Sequence, residues 1–128
     1  MRKSKSKKLA KKKADKYFSE YIRNRDTDHR QLGQCITCSQ WKPKDKLDCG
    51  HFISRRFQAT RYDERNANAQ CLKCNRFENG NQYAHGKAID KKYGKGTADE
   101  LFNKSRMHCK RAQSDFERIA KEYKNKLD

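Results

Sequence analysis

Two cysteine pairs, Cys35-Ile-Thr-Cys38 and Cys71-Leu-Lys-Cys74, constrain this chain more than any other feature. Two such knuckles can supply the four thiolates of one tetrahedral zinc, and thiolate is the preferred ligand of structural zinc. Closing that site fixes the chain on either side of Asp48-Cys49-Gly50-His51, which lies between the pairs. With 128 residues, 33% hydrophobic and 38% charged, only a small core can form. A metal is one way to staple a core of that size. Six cysteines could instead make three disulfides in a secreted protein. The sequence, however, opens Met1-Arg2-Lys3-Ser4-Lys5 and runs into more lysine, with no apolar signal segment or membrane span. The spacing therefore predicts an intracellular zinc site at Cys35, Cys38, Cys71 and Cys74. Cys49 and Cys109 are left over, and Cys49 reads as a small strand residue.

A formal charge of +17 points to a polyanionic partner, DNA or RNA. A solvated basic tail would give the same total, so charge alone does not imply an enzyme. Residues 1–13 carry eight basic side chains and little apolar content. They read as a flexible arm that binds phosphates, with Lys11, Lys12 and Lys13 as contacts. Ala10, Ala14, Tyr17, Phe18 and Tyr21 recur at helical spacing, so 14–32 reads as a helix and loop. That stripe fits a helix lying on DNA or one packed on the core.

The next segment, 33–96, holds the knuckles. Leu47 to Ile53 reads as a short strand, Asn68 to Asn79 as a helix stopped at Gly80, and Tyr83 to Tyr93 as a second helix ending at Gly94. Thr97-Ala98-Asp99-Glu100 has the form of a capping box and opens one C-terminal helix over 97–128. Leu101, Ser105, His108, Ala112, Phe116, Ile119, Tyr123 and Leu127 trace one face of it, a packing surface for this domain or for a second subunit.

The order of knuckle, strand with His51, and helix with second knuckle gives the sequence a specific likeness. Cys35-x2-Cys38, Asp48-x-Gly50-His51-Phe52, Arg61-Tyr62-Asp63-Glu64-x-Asn66, Ala69-Gln70-Cys71-x2-Cys74-Asn75 and Gly80-Asn81 together resemble the NinG/Rap family of lambdoid phages. In this resemblance His51, Asn66 and Asn75 take the three positions of an HNH motif, and Asn75 after the last cysteine is similar to endonuclease VII-like nucleases. The likeness covers roughly 33–96. It implies an α+β protein with a zinc-stapled ββα-metal core flanked by N-terminal and C-terminal helices. It further implies a metal-dependent endonuclease cutting branched recombination intermediates, Holliday junctions among them. Such a protein would be phage-encoded, work in the cytoplasm of the bacterial host beside other phage recombination proteins, and act as a homodimer, because symmetrical cleavage needs two sites.

The residues can be matched to that chemistry. Phosphodiester hydrolysis needs a base to activate water and a cation at the phosphate. A neutral imidazole suits the base, and His51 is the candidate. A lone histidine is more often structural, but the frame around His51 favours catalysis. His29, His85 and His108 lack such a frame and read as surface or packing residues. Asn75 lies about 100° around a helix from Cys74, with Asn79 one turn beyond. Their amide oxygens suit Mg²⁺ or Mn²⁺, although Asn79-Gly80 could be only a helix stop. Where many HNH enzymes carry an acid, this chain has Gly50. A bulge at Cys49-Gly50 could bring Asp48 to the metal; otherwise Asp48 anchors an arginine. Arg55, Arg56 and Arg61 are candidates for phosphate contacts, or for pairing with nearby acids. Two other readings share these motifs: a non-specific or restriction-type HNH nuclease or nickase, and a zinc-stabilised nucleic-acid-binding module without catalysis.

Overall fold

The computed structural model describes the backbone of residues 2–127 and the side chains of 5–79 and 81–127. Arg2–Arg25 forms one helix, α1. The separate arm expected over 1–13 is therefore helical from Arg2 onward; Met1 and the side chains of 2–4 lie outside the described residues. Lysine and alanine are good helix formers, and no proline or glycine interrupts the run. Ala10, Ala14, Phe18 and Ile22 form its buried stripe.

That stripe packs on the last helix, α5 (Gln113–Leu127), through Phe116, Ile119, Ala120 and Tyr123. Phe18 meets the rings of Tyr62 and Tyr123 edge-on, at 5.5 and 5.0 Å between centroids. The C-terminal apolar face is thus used within the chain, and it does not supply the dimer surface considered above. Nor is 97–128 a single helix. It divides into α4 (Thr97–Ser105) and α5, because the chain turns so that Arg111 can reach the Gln58 carbonyl and the Tyr62 ring. Leu101 on α4 joins a second cluster with Ile53 and Ile89. The capping box does not form either. Thr97 Oγ1 donates to the Gly94 carbonyl at 2.7 Å, and Asp90 accepts from Ala98 N–H at 2.8 Å to cap α4.

Between the outer helices lie two antiparallel pairs. β1 (Leu32–Gln34) pairs with β2 (Trp41–Pro43), and Cys35 to Cys38 forms the turn region between them. β3 (Leu47–His51) pairs with β4 (Ala67–Cys71) in an unbroken register from Leu47↔Cys71 to His51↔Ala67. The bulge considered at Cys49-Gly50 is absent, because Gly50 serves a different purpose. A Cβ there would lie 1.9 Å from Gln70 Oε1, so glycine admits the Gln70 side chain across the ladder.

The segment read as a helix from Asn68 is also different. All five residues of β4 are buried, and Asp26 and Ile36 hydrogen-bond its Ala69 backbone on the side away from β3. These tertiary bonds outweigh the weak strand propensity of Ala-Asn-Ala-Gln. Helical geometry resumes only as a π-type turn, Lys73–Phe77, and a 3-10 turn, Asn79–Asn81. α2 (Gln58–Arg61) links β3 to β4. α3 (Gln82–Tyr93) ends where expected, at Gly94, whose φ of 119° favours glycine. The result is a mixed α+β chain in which no described helix is long and apolar enough to cross a membrane.

Candidate functional site

Sequence spacing located the cysteine centre correctly. Sγ atoms of Cys35, Cys38, Cys71 and Cys74 all lie within 4.8 Å of one another, three of the residues being buried. Cys38 and Cys71 are 3.7 Å apart at sulfur. A tetrahedron with metal–sulfur bonds of about 2.3 Å has an edge of about 3.8 Å, whereas a disulfide requires about 2.05 Å. All six cysteines are free thiols. Two of the thiols diverge: burial pushes Cys38 up to about 12, while at Cys35 the Thr37 hydroxyl and backbone donors outweigh burial and bring it down to about 6. A divalent cation would draw all four to thiolate. The cluster therefore fits a structural metal such as zinc. It ties the β1–β2 turn to the end of β4 and to the turn carrying Asn75.

Beyond that centre is a polar cavity of about 490 Å³, lined by Ser19, Asp48, Cys49, His51, Arg55, Asn75, Arg76 and Asn79. It brings together five residues singled out from sequence as site candidates, namely Asp48, His51, Arg55, Asn75 and Asn79. His51 Nε2 lies 3.0 Å from the Arg61 carbonyl. A carbonyl can only accept, so Nε2 carries the proton in the neutral ring and Nδ1 keeps its lone pair. Burial, helped by the charges of Arg55 and Arg61, pulls the imidazole down to about 4 against the opposing Arg61 carbonyl bond and Asp15. The ring is thus held as a neutral tautomer with one basic nitrogen.

Asp15 of α1 is what fixes this arrangement. Its carboxylate accepts from Arg61 Nε and Nη2 at 3.0 and 2.6 Å and from the Tyr62 hydroxyl at 2.7 Å. Burial works to raise the Asp15 carboxyl, but these bonds outweigh it and lower it. Arg61 also donates to the Arg55 carbonyl. Arg61 is only 7% exposed, so it is a clamp on the His51 carbonyl anchor and not the phosphate contact expected. Asn66 is likewise not a surface group. It is fully buried, accepts from Ile53 N–H at 2.8 Å and donates to the Ile53 and Thr60 carbonyls, closing the loop that follows His51. Its expected catalytic position is therefore a positioning one.

Asp48 accepts from Asn75 Nδ2 at 2.9 Å and from Arg76 Nε and Nη2 at 2.9 and 3.0 Å. Burial opposes its ionisation, yet these bonds hold the carboxyl below its ordinary value. Both readings of Asp48 are thus compatible with its place: it anchors an arginine, and it faces the cavity. With Asn75 Nδ2 directed to Asp48, the amide Oδ1 of Asn75 is available. A carboxylate and two amide oxygens are a donor set for a hard cation. Oδ1 of Asp48 takes one hydrogen bond here, which leaves it a lone pair, and the Arg76 side chain is 59% exposed and able to swing away. Asp48, Asn75 and Asn79 are the residues that would hold Mg²⁺ or Mn²⁺ in this cavity. Cys49, pushed up to about 12 by burial, stays a thiol and packs against the α1–α5 core.

Of the arginines, Arg55 lines the cavity, whereas Arg56 lies over the Phe57 ring and is not in it. On α1, Lys5, Lys8, Lys12, Lys16, Ser19 and Arg23 recur at intervals of three or four and share one face. At 1.5 Å per residue that row is about 27 Å long, and Ser19 in it lines the cavity. Lys12 belongs to the row. Lys11 is half-buried beside the core stripe, and Lys13 borders a groove against α5. Sequence reading missed Asp15, Arg76, Ser19 and Arg23. Asp15 alone left a signal, as the one acid in the run Lys11-Lys12-Lys13-Ala14-Asp15-Lys16.

The sequence profile of a family described as bacteriophage lambda NinG protein matches residues 1–128. Among curated relatives, protein ninG of Salmonella phage P22 is 29% identical over 126 residues, covering 89% of this chain and 57% of that protein. Protein ninG of Escherichia phage lambda is 27% identical over 126 residues with the same coverage, and that of Enterobacteria phage H19B is 28% identical over 122. The chain thus spans less than two thirds of the length of these relatives. No solved structure matches it significantly.

Proposed function

This chain belongs to the NinG family of bacteriophage proteins, and from that membership and its cavity we propose that it is a metal-dependent DNA endonuclease acting on branched recombination intermediates, four-way junctions included. The observation that carries the reading is His51: a neutral imidazole whose Nε2 is committed to the Arg61 carbonyl, beside an oxygen-donor set in one polar cavity. The antiparallel β3–β4 pair supports the two-strand part of a ββα-metal reading; short turns carrying Asn75 and Asn79 stand between it and α3.

In this reading His51 Nδ1 takes a proton from the water that attacks phosphorus. Asp48 and Asn75, with Asn79, would hold Mg²⁺ or Mn²⁺, which supplies charge neutralisation at the phosphate and the leaving 3′ oxygen. Arg55 contacts a neighbouring phosphate, and the α1 row follows the backbone away from the cut. Two copies of the chain would act together on a symmetrical junction, in the cytoplasm of the phage's host.

A second reading draws on Asp48. Its carboxylate is engaged by Arg76 and Asn75, as in a zinc-stabilised binding module without catalysis. Incubating the protein with a labelled four-way junction and with linear duplex of matching sequence, with Mg²⁺ or Mn²⁺, separates the possibilities. The nuclease reading expects metal-dependent cuts in the junction. Equal cutting of both substrates would indicate a non-specific nuclease, and binding without cutting would favour the module.

A further inference from the structure

We propose that Phe77 stacks on a base left unstacked at the branch point, and so selects branched over continuous DNA. This rests on the nuclease reading above and names the feature of the substrate that its site would recognise. Phe77 is 81% exposed, more than any other large apolar side chain described. Two other exposed rings have a cation over them: Lys87 lies 4.4 Å from the Tyr83 centroid and Arg106 4.4 Å from that of Phe102, while Trp41, on β2, is not part of the cavity lining. Among the described residues no ring or cation covers Phe77.

Its position gives that exposure a use. Phe77 ends the turn that carries Cys74, Asn75 and Arg76, and it stands two residues from both Asn75 and Asn79, which line the cavity. The cysteine centre fixes the turn on one side. On the other, Asn79 and Asn81 take left-handed backbone conformations, at φ 49° and 47°. The exposed ring is therefore carried by a defined backbone between two residues of the cavity, not by a tail. The neighbouring cavity is lined by Arg55 and Arg76, each paired at one edge with an acid, Asp15 and Asp48 respectively. With a net charge of +17 and the cationic row of α1 leading to the same cavity through Ser19, the partner that fits here is anionic and offers a flat apolar face to Phe77. A nucleic-acid base exposes such a face only when it is unstacked. Aromatic side chains stack on single-stranded bases regardless of sequence, and apolar wedges hold opened steps apart. Continuous duplex hides these faces; a branch point offers them.

The test uses full-length protein and a four-way junction carrying 2-aminopurine at the branch, in buffer without added Mg²⁺ or Mn²⁺, so that binding is read apart from cleavage. Stacking on one ring is a contribution of about tenfold or more in affinity. Phe77→Ala is therefore expected to bind the junction about tenfold more weakly, alter the 2-aminopurine signal much less than the parent, and bind linear duplex as the parent does. Phe77→Trp should restore both readings. Trp41→Ala, which removes an exposed ring on β2, should change neither. Parent-like junction affinity and fluorescence for Phe77→Ala would overturn the proposal, as would a loss of self-association in place of a loss of junction binding. Failure of the nuclease reading is a different result: parent protein that never cuts with metal, yet shows the Phe77-dependent signal.

Discussion

Replacing Asp15 by asparagine tests whether α1 governs the base from a distance. Asp15 does not line the cavity, but it accepts three hydrogen bonds and pairs with Arg61, whose side chain is 8% exposed. Breaking a fully buried pair costs about 3–5 kcal/mol. Asp15 itself is 21% exposed, and asparagine keeps one acceptor, so a cost of about 2–3 kcal/mol is expected after that discount. For a chain of this size the melting temperature should fall by about 10 °C. The second consequence is catalytic. Arg61 would be held by its bond to the Arg55 carbonyl and one remaining acceptor, its own carbonyl would be less firmly placed 3.0 Å from His51 Nε2, and the imidazole would be less fixed in tautomer and direction. Below the melting transition, kcat for junction cleavage should drop about 10–100-fold, part of what a general base contributes, while junction affinity stays near that of the parent. Thermal melting, binding and single-turnover cleavage measured on one preparation read the three quantities. A variant that melts 10 °C lower but cuts at the parental rate would refute the link from Asp15 through Arg61 to His51.

The remaining expectations can be read with similar assays. One metal ion should co-purify per chain at the four cysteines, and Cys35→Ser or Cys74→Ser should unfold the protein; a folded, metal-free preparation by elemental analysis would remove this staple. His51→Ala should lower cleavage by about 10²–10⁴ with little change in binding, and near-parental cleavage would place the base elsewhere. Since burial lowers His51 to about 4, the ring stays neutral through pH 6.5, so cleavage should show no loss centred there; a midpoint near 6.5 would mean an open, solvated ring. His51 and His85 both titrate near 4 when folded and near 6.5 when unfolded. Stability is then flat above 6.5 and falls as pH drops from 6.5 to 4, by about 1 kcal/mol per unit for each, which denaturant titration at several pH values can check. Asp48→Asn should raise the Mg²⁺ concentration needed for cleavage, whereas Cys49→Ala should not; the opposite result would misplace the cation.

Motif spacing was most informative where chemistry demands fixed spacing. Four cysteines at knuckle intervals were enough to locate a thiol cluster, and His51, Asp48, Asn75 and Asn79 were found in one cavity. Local pattern was weaker where tertiary contacts decide. The segment from Asn68 lacks β-branched residues and reads as helix, yet Asp26 and Ile36 bind its backbone at Ala69 and Leu47–His51 completes the strand pair over Ala67–Cys71. Gly50 looks like a missing acid in the motif, but its reason is the Gln70 side chain that crosses it, a contact between strands that sequence order does not display. The break before α5 has no glycine or proline to announce it. Arg61 shows the same limit for function: its composition suggests a phosphate ligand, and only the fold reveals Asp15, forty-six positions earlier, already bound to it.

The two halves of the cavity consequently depend on different parts of the chain. Asp48 and Asn75 sit on β3 and on the turn whose Cys74 belongs to the thiol cluster, so a metal there fixes the oxygen donors. His51 is placed from the opposite side, by the Arg61 carbonyl, the Asp15 clamp and the ring of Phe18 at 6.1 Å. Helix α1 in turn is held by α5, through contacts that involve none of the four clustered cysteines. General-base attack at a phosphate requires water, base and cation within a few tenths of an ångström of a productive arrangement. In a protein with so small an apolar core, one staple would leave one of these partners loose. The four-cysteine cluster and the α1–α5 pair act on the two sides separately, and the long basic helix is therefore a structural part of the cavity as well as a row of cations beside it.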